Sequence, residues 1–329
     1  MKRRGFIKLL GGAAFAPAIL PFAASAQQPG RVYRVGLVMG SNSPVFIPAR
    51  MAFLDEMRKL GFIEGQNFVL EVRSNQQDSQ QLLALMSDLG SKVDAIVSGG
   101  TEQTLRAAVS ASPSIPIVMW ANNFDPIAGG YVKSLSRPGG NITGLFTRQP
   151  EIAEKQVELL KEMFPQQRRL AILWDAQTAD QFEAAERRAR QLGLDVVSHR
   201  LEKMPYDIAA VFRAVAASDP QMIQVASGPN MGTYQQNIVD QAMQHRLPAI
   251  YIFRTYVDRG GLISYGVNIE SNFRRLAALT ARVLNGASPA DLPIEQPTVF
   301  EMVVNLKAAK ALGVEFPNSI LVRADEVIE

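Results

Sequence analysis

Met222-Ile223-Gln224-Val225-Ala226, a stretch of helical period over 233–246, and Ala249-Ile250-Tyr251-Ile252-Phe253 decide the fold. The two pentapeptides are short runs rich in Val and Ile, the composition of buried strands. Between them Tyr234, Ile238 and Ala242 fall on one face at helical spacing, as a crossover helix covering a sheet requires. Strand, helix and strand in that order predict a βαβ unit with parallel strands.

Moving outward, the pattern repeats. Toward the N-terminus, strands are predicted over 195–200 and 170–174, with helices near 207–218 and 180–192; strand starts in this half recur every 25 to 27 residues. Ile208, Val211, Phe212 and Val215 make another buried stripe. The first half of the chain carries the same alternation, with strands over 33–39, 68–73, 94–98 and 116–120 and helices near 48–60, 79–90 and 101–111. Met51, Leu54, Met57 and Leu60 line one face of the first of these helices, and Leu82, Leu85, Met86 and Leu89 one face of the second. The expected fold class is α/β, two doubly wound Rossmann-like lobes.

Three stretches look like crossings between the lobes: Gly139 to Gly144, Gly260 to Gly266, and the Pro-rich run from Pro289 to Pro297. Each combines extended apolar residues with Gly or Pro, which suits strand-like hinges that absorb dihedral changes. After the second, Phe273, Leu276, Ala277, Thr280 and Leu284 form a helix stripe, and 299–305 reads as a strand. The predicted division is 31–145 plus 266–297 for one lobe, and 146–265 plus 298–329 for the other.

The 329 residues, 47% of them apolar, suffice for two cores. Their net charge of +3 is misleading. Residues 1–26 pair a basic start (Lys2, Arg3, Arg4, Lys8) with a short apolar run and the triplet Ala24-Ser25-Ala26, the layout of a signal peptide cleaved near Ala26. Arg3-Arg4-Gly5-Phe6-Ile7-Lys8 resembles a twin-arginine export motif, with the general secretory route as the alternative. Cleavage removes four of 34 basic residues and none of 31 acidic ones, leaving 30 against 31. No electrostatic case for nucleic acid survives. A soluble periplasmic chain is expected, and without a single cysteine it can form no disulfide, thiolate metal site or lipid-bearing Cys.

On longer motifs the chain resembles the ABC-transporter substrate-binding proteins of the tryptophan-binding-like family, within the type I periplasmic binding fold. The residues that carry the likeness are Leu60-Gly61-Phe62-Ile63-Glu64-Gly65-Gln66-Asn67, Asp125-Pro126-Ile127-Ala128-Gly129-Gly130, the run from Ser134 to Gly144, Gly260 to Gly266, and the tail from Asp291 through Asn305 to Gly313. Ala226 to Tyr234 departs from the family pattern. The resemblance implies a small-molecule cargo, an amino acid by preference, and a membrane permease with its ATPase as partners.

Ligands in open α/β sheets bind beyond the carboxyl ends of the strands. In the first lobe this points to Ser41 and Asn42, to Ser98 and Thr101, and to Asn122, Asn123 and Asp125. Ser98 and Thr101 can cradle a carboxylate through free helix N–H groups, or simply cap a helix. Asp125 can pair with an ammonium, or act as an N-cap before Pro126. The corresponding second-lobe positions are Trp174, Asp175, Ser227 and Arg254, with Tyr265 on the returning crossing. Asp175 and Arg254 can grip a zwitterion or form a salt bridge between lobes, and Trp120 and Trp174 can stack on a flat solute or pack in a core.

Catalytic signatures are sparse. There is no dinucleotide glycine pattern, Walker loop or nucleophile elbow, no cofactor is called for, and His199 and His245 each stand alone. The expectation is a binding protein and not an enzyme. The alternatives are a periplasmic hydrolase or isomerase using Asp125 and Asp175, and a ligand-loaded sensor subunit.

Overall fold

A computed structural model describes residues 30–39, 46–74, 79–111, 113–228 and 230–329. Residues 1–26, expected to be a signal peptide, lie outside them, and so do Ser41 and Asn42. Among the described residues no helix is long and apolar enough to cross a membrane.

Two sheets organise the chain. The first has five parallel strands, β1 (Tyr33–Met39), β2 (Phe68–Ser74), β3 (Ala95–Gly100), β4 (Ile117–Ala121) and β5 (Ile142–Phe146), in the order β2-β1-β3-β4-β5. The second has seven: β6 (Arg169–Asp175), β7 (Asp195–Leu201), β8 (Met222–Val225), β9 (Ala249–Tyr251), β10 (Ile263–Val267), β11 (Phe300–Asn305) and β12 (Glu326–Ile328), ordered β12-β11-β10-β9-β8-β6-β7. Among the described residues only its β10–β11 pair is antiparallel.

The helices that link the strands are α1 (Ile47–Lys59), α2 (Ser79–Gly90), α3 (Glu102–Ala111), α4 (Gln149–Met163), α5 (Ala179–Gln191), α6 (Ile208–Ala217) and α7 (Gln235–Gln244). After them come α8 (Arg254–Val257), α9 (Ile269–Leu284), α10 (Leu306–Leu312) and α11 (Asn318–Leu321).

Strand periodicity distributes the cores. Val35, Leu37, Val97, Val118 and Trp120 pack with Phe53 and Met57 of α1 and Phe273 and Leu276 of α9. Their immediate neighbours Val38, Ile96, Ile117 and Met119 face the other way, onto Leu82 and Met86 of α2 and Leu105 of α3. The second sheet repeats this: Leu170, Ile172 and Met222 meet α4 and α5, while Ala171, Leu173, Ile223 and Val225 meet Phe212 and Ile238 of α6 and α7. Alternate residues of a fully buried strand thus serve opposite layers, which is what doubly wound means physically. Each fully buried Leu, Ile or Phe contributes about 1.5–3 kcal/mol.

The chain passes between the sheets after β5, after β10 into α9, and again before β11. The first and third passages touch: Gly144 O accepts the Glu295 N–H at 2.9 Å and Glu295 O accepts the Phe146 N–H at 2.8 Å. Gly144 permits this approach. Its φ is +142°, and a Cβ there would stand 1.9 Å from Met119 O, so any side chain would force β4 and β5 apart.

Four helices, α4, α8, α10 and α11, escape the sequence reading, and α4 is the longest of them. In α4 the buried face is Gln149, Ile152, Ala153, Gln156, Val157, Leu159, Leu160 and Met163. Two glutamines sit in that stripe and make it look polar. They are buried because they bond: Gln156 Nε2 donates to Tyr265 O at 2.8 Å, and Gln224 Nε2 to Gln156 Oε1 at 2.9 Å.

Candidate functional site

At the carboxyl end of β4 the backbone turns away at Asn122 and Asn123. The adjacent β5 is held level by Thr147 N–H donating to Ala121 O (2.8 Å) and by the buried Trp120 indole N–H donating to Thr147 Oγ1 (2.9 Å). That fixes where α4 begins and sets Gln149 against Asn122, with Gln149 Nε2 donating to Asn122 Oδ1 at 2.7 Å. Asn122 Nδ2 donates to Asn123 Oδ1 (2.9 Å), and Asn123 Nδ2 to Ser227 O (2.6 Å).

Ser227 lies just past β8, on the other sheet. Its peptide is clamped by Gln181 of α5, whose Oε1 accepts the Ser227 N–H (2.9 Å) and whose Nε2 donates to Ser227 O (3.0 Å). The carboxyl ends of the two sheets therefore meet across a chain of side-chain amides, buried except for the half-buried Asn123. Beside it, Asn122, Asp125, Phe146, Gln149, Glu151 and Asp180 border a cavity of about 250 Å³. Asp180 is exposed, yet desolvation raises its carboxyl pKa, with Glu183 repulsion as a smaller cause.

Of the expected site residues, the structure brings Asn122 and Ser227 into one network, and Asp125 to the same cavity as Asn122. Ser98 is buried at the end of β3. Thr101 acts as a cap, its Oγ1 accepting the Thr104 N–H at 3.2 Å and bonding the Thr104 hydroxyl at 2.7 Å. Asp125 is likewise a turn cap, its Oδ1 accepting from Ile127 N (2.8 Å) and Ala128 N (3.1 Å).

The second-lobe charges are used differently. Asp175 is buried and accepts from Gln177 N (3.0 Å), Thr178 Oγ1 (3.2 Å) and the Tyr206 hydroxyl (3.1 Å). Burial raises the Tyr206 phenol above its ordinary pKa, so it donates at neutral pH. Arg254 bonds Glu326 (2.9 Å), Glu301 (3.2 Å) and Asp258 (3.3 Å), tying α8 to β11 and β12. All these partners belong to the second sheet and its connections, so neither residue forms a salt bridge between lobes. Trp174 stacks on Phe182 with ring centres 4.5 Å apart, under the Arg200 guanidinium, and its N–H donates to Ser198 Oγ at 2.8 Å. Trp120 is packed edge-on to Phe273 inside the first lobe. Tyr265 stacks on Phe300 at the border of a separate cavity of about 280 Å³ between the chain crossings.

Gln149 and Gln181 were not singled out from the sequence. Each sits in the first turn of a helix that follows a strand, and nothing in a neutral amide's identity marks it as a bridge. Among the described residues no group of three His, Cys, Asp or Glu side chains is placed to hold a metal ion. His199 shares a hydrogen bond with Ser218 Oγ at 3.1 Å, and burial lowers its pKa.

A family model described as ABC transporter substrate binding protein matches residues 42–328. A curated tyrosine-binding protein of Clostridioides difficile (strain R20291) is 24% identical over 285 residues, 85% of this chain and 81% of that protein. Among solved structures, a conserved domain protein from Vibrio cholerae is 26% identical with a TM-score of 0.82, over 90% of this chain and all of its own. An ABC domain from Streptococcus pneumoniae in complex with L-Trp is 24% identical with a TM-score of 0.78, over 89% of this chain and all of its own.

Proposed function

The chain belongs to the ABC transporter substrate-binding protein family, and we propose that it is the periplasmic component of an importer, capturing an aromatic amino acid between its lobes and releasing it unchanged. The observation that carries this reading is the direct bond from Asn123 Nδ2 to Ser227 O. It brings the carboxyl ends of the parallel strands of two sheets face to face, the place where open α/β folds hold ligands. The aromatic amino acid is supported by the relative described as tyrosine-binding and by the L-Trp complex of a structural neighbour. Under this reading the lobes comprise 31–145 plus 266–297 and 146–265 plus 298–329, residues 1–26 direct export, and a permease with its ATPase receives the loaded protein. Ser98, Thr101, Asn122 and Ser227 border the solute, while Asp175, Arg254 and Trp174 hold the second rim in shape.

The test is a thermal-shift panel on residues 27–329 with the common amino acids, nucleobases, sugars and short peptides, followed by mass spectrometry of the bound fraction. Saturation at about 100 times Kd adds about 2.7 kcal/mol of stability. The reading expects L-tyrosine or L-tryptophan to raise Tm by several degrees and to be recovered intact. A shift by a sugar alone, or recovery of a converted product, would refute it.

A further inference from the structure

The amide chain has a direction, and one atom forces it. Ser227 O is a carbonyl and can only accept, so Asn123 must present Nδ2 to it. The Asn123 Oδ1 then needs a donor, supplied by Asn122 Nδ2; the Asn122 Oδ1 needs one in turn, supplied by Gln149 Nε2. Every amide orientation back to α4 follows from that single acceptor, without reliance on the assigned identity of O and N. The same logic leaves an acceptor over at the far end. Gln149 Oε1 is indeed buried with no hydrogen-bond partner.

The three links belong to three parts of the hinge region. Gln149 opens the helix that follows the first crossing, Asn122 and Asn123 cap the first sheet, and Ser227 belongs to the second. Ser227 O is also fixed in space by the two-bond clamp of Gln181. We infer that Gln149, Asn122 and Asn123 form a directional latch that holds the two lobes together before any solute arrives, with Asn123 as the residue that sets the closed population. This rests on the proposed function in assuming that the lobes open and close; the latch itself is made of protein atoms alone.

Such a latch has a defined consequence. A bond present in both closed states, empty and loaded, and absent from the open one shifts the balance toward closure whatever the cargo. Its removal lowers affinity only to the extent that the empty protein then opens. One part-buried neutral hydrogen bond corresponds to about a two- to tenfold change in that balance.

The absence of cysteine makes the test clean. Lys59→Cys on α1 and Arg190→Cys on α5, both exposed, take spin labels whose separation reports the opening in the full mature chain. Without ligand, the parent pair is expected to show a narrow short-distance population. Asn123→Ala should broaden it and move it to longer distance. Asn123→Asp, which turns an acceptor toward Ser227 O, should do so more strongly, and Gln149→Leu less. L-Tyrosine should restore the short distance in Asn123→Ala, with Kd weakened only by the factor by which the empty protein has opened, which stays below about tenfold. An Asn123→Ala distribution that superimposes on the parent, even with a lowered Tm, would reduce the amides to local structure and overturn the proposal. Failure of L-tyrosine to bind would count against the assigned cargo, while the ligand-free distances would still decide the latch.

Discussion

The two rims of the cleft are built from opposite materials. On one side of the second lobe, Ser227 meets the first lobe through uncharged amides that run without interruption to α4. A short distance along the same sheet, Arg254 gathers Asp258, Glu301 and Glu326, and Asp175 gathers Gln177, Thr178 and Tyr206, all within the second lobe's own elements. The charges brace one lobe and the neutral groups join two. Physically this is a sensible division. A charge pair broken at each opening would have to be desolvated again at each closing, whereas amides exchange partners with water at small net cost.

The contrast can be broken by substitution, and the largest effect is expected at Asp175. Asp175→Ala removes the acceptor for three donors in a site only 1% exposed, and should cost about 2–4 kcal/mol in urea unfolding. Arg254→Met comes next. Its side chain is 36% exposed and therefore screened, so a loss of about 1–2 kcal/mol at pH 7 is expected, with unchanged solute affinity.

The pH dependence of the Arg254 variant sharpens that point. Desolvation already holds Glu301 above its ordinary pKa of 4.5, with Arg254 opposing it. A raised carboxyl binds its proton more tightly folded than unfolded, so it costs stability above the folded pKa and nothing below 4.5. Without Arg254 that cost grows. Part of the stability missing at pH 7 should return as the pH falls through the folded pKa, and unfolding curves at pH 7 and pH 5 compare the two proteins directly.

Asn123→Ala should show the reverse pattern to Arg254→Met. Its unfolding free energy should fall by less than about 1 kcal/mol while affinity weakens. Equal losses of stability and affinity in both variants would erase the distinction between the rims. The smallest effect is expected at Trp174, where Phe preserves the stack on Phe182 and loses the bond to Ser198. Trp174→Phe should cost at most about 1 kcal/mol and leave affinity within a factor of about two, by calorimetry. A collapse in affinity would return the indole to the binding surface.

Most strands were legible because parallel strands covered on both faces are uninterrupted apolar runs, and Ile223 or Ile250 can hardly be placed elsewhere, whereas β5 and β10 read as crossings and β12 was not read. Which of two neighbours faces which helix layer was not, since Val97 and Ile96 look alike and differ only in parity along the strand. Helix α4 was hidden by its own interior glutamines, whose partners Tyr265 O and Gln224 lie 109 and 68 residues away. At the site, position was readable and role was not. Strand ends pointed to Asn122 and Ser227, because ligands gather beyond carboxyl ends. The attention drawn by Asp175 and Arg254 followed from charge, and their neutralising partners Tyr206, Glu301 and Glu326 come from distant parts of the chain. No local pattern connects Gln149 to Asn122, since the bond depends on Thr147 holding the ends of β4 and β5 level.

If the proposed cargo is right, this protein holds an aromatic amino acid between its lobes, and isothermal titration of residues 27–329 with L-tyrosine and with L-tryptophan will detect it. At least one of them should bind saturably at one site per chain, with a negative heat-capacity change from burial of the ring. Absence of heat with either amino acid across several temperatures, alongside saturable binding of a sugar or nucleobase, would contradict it.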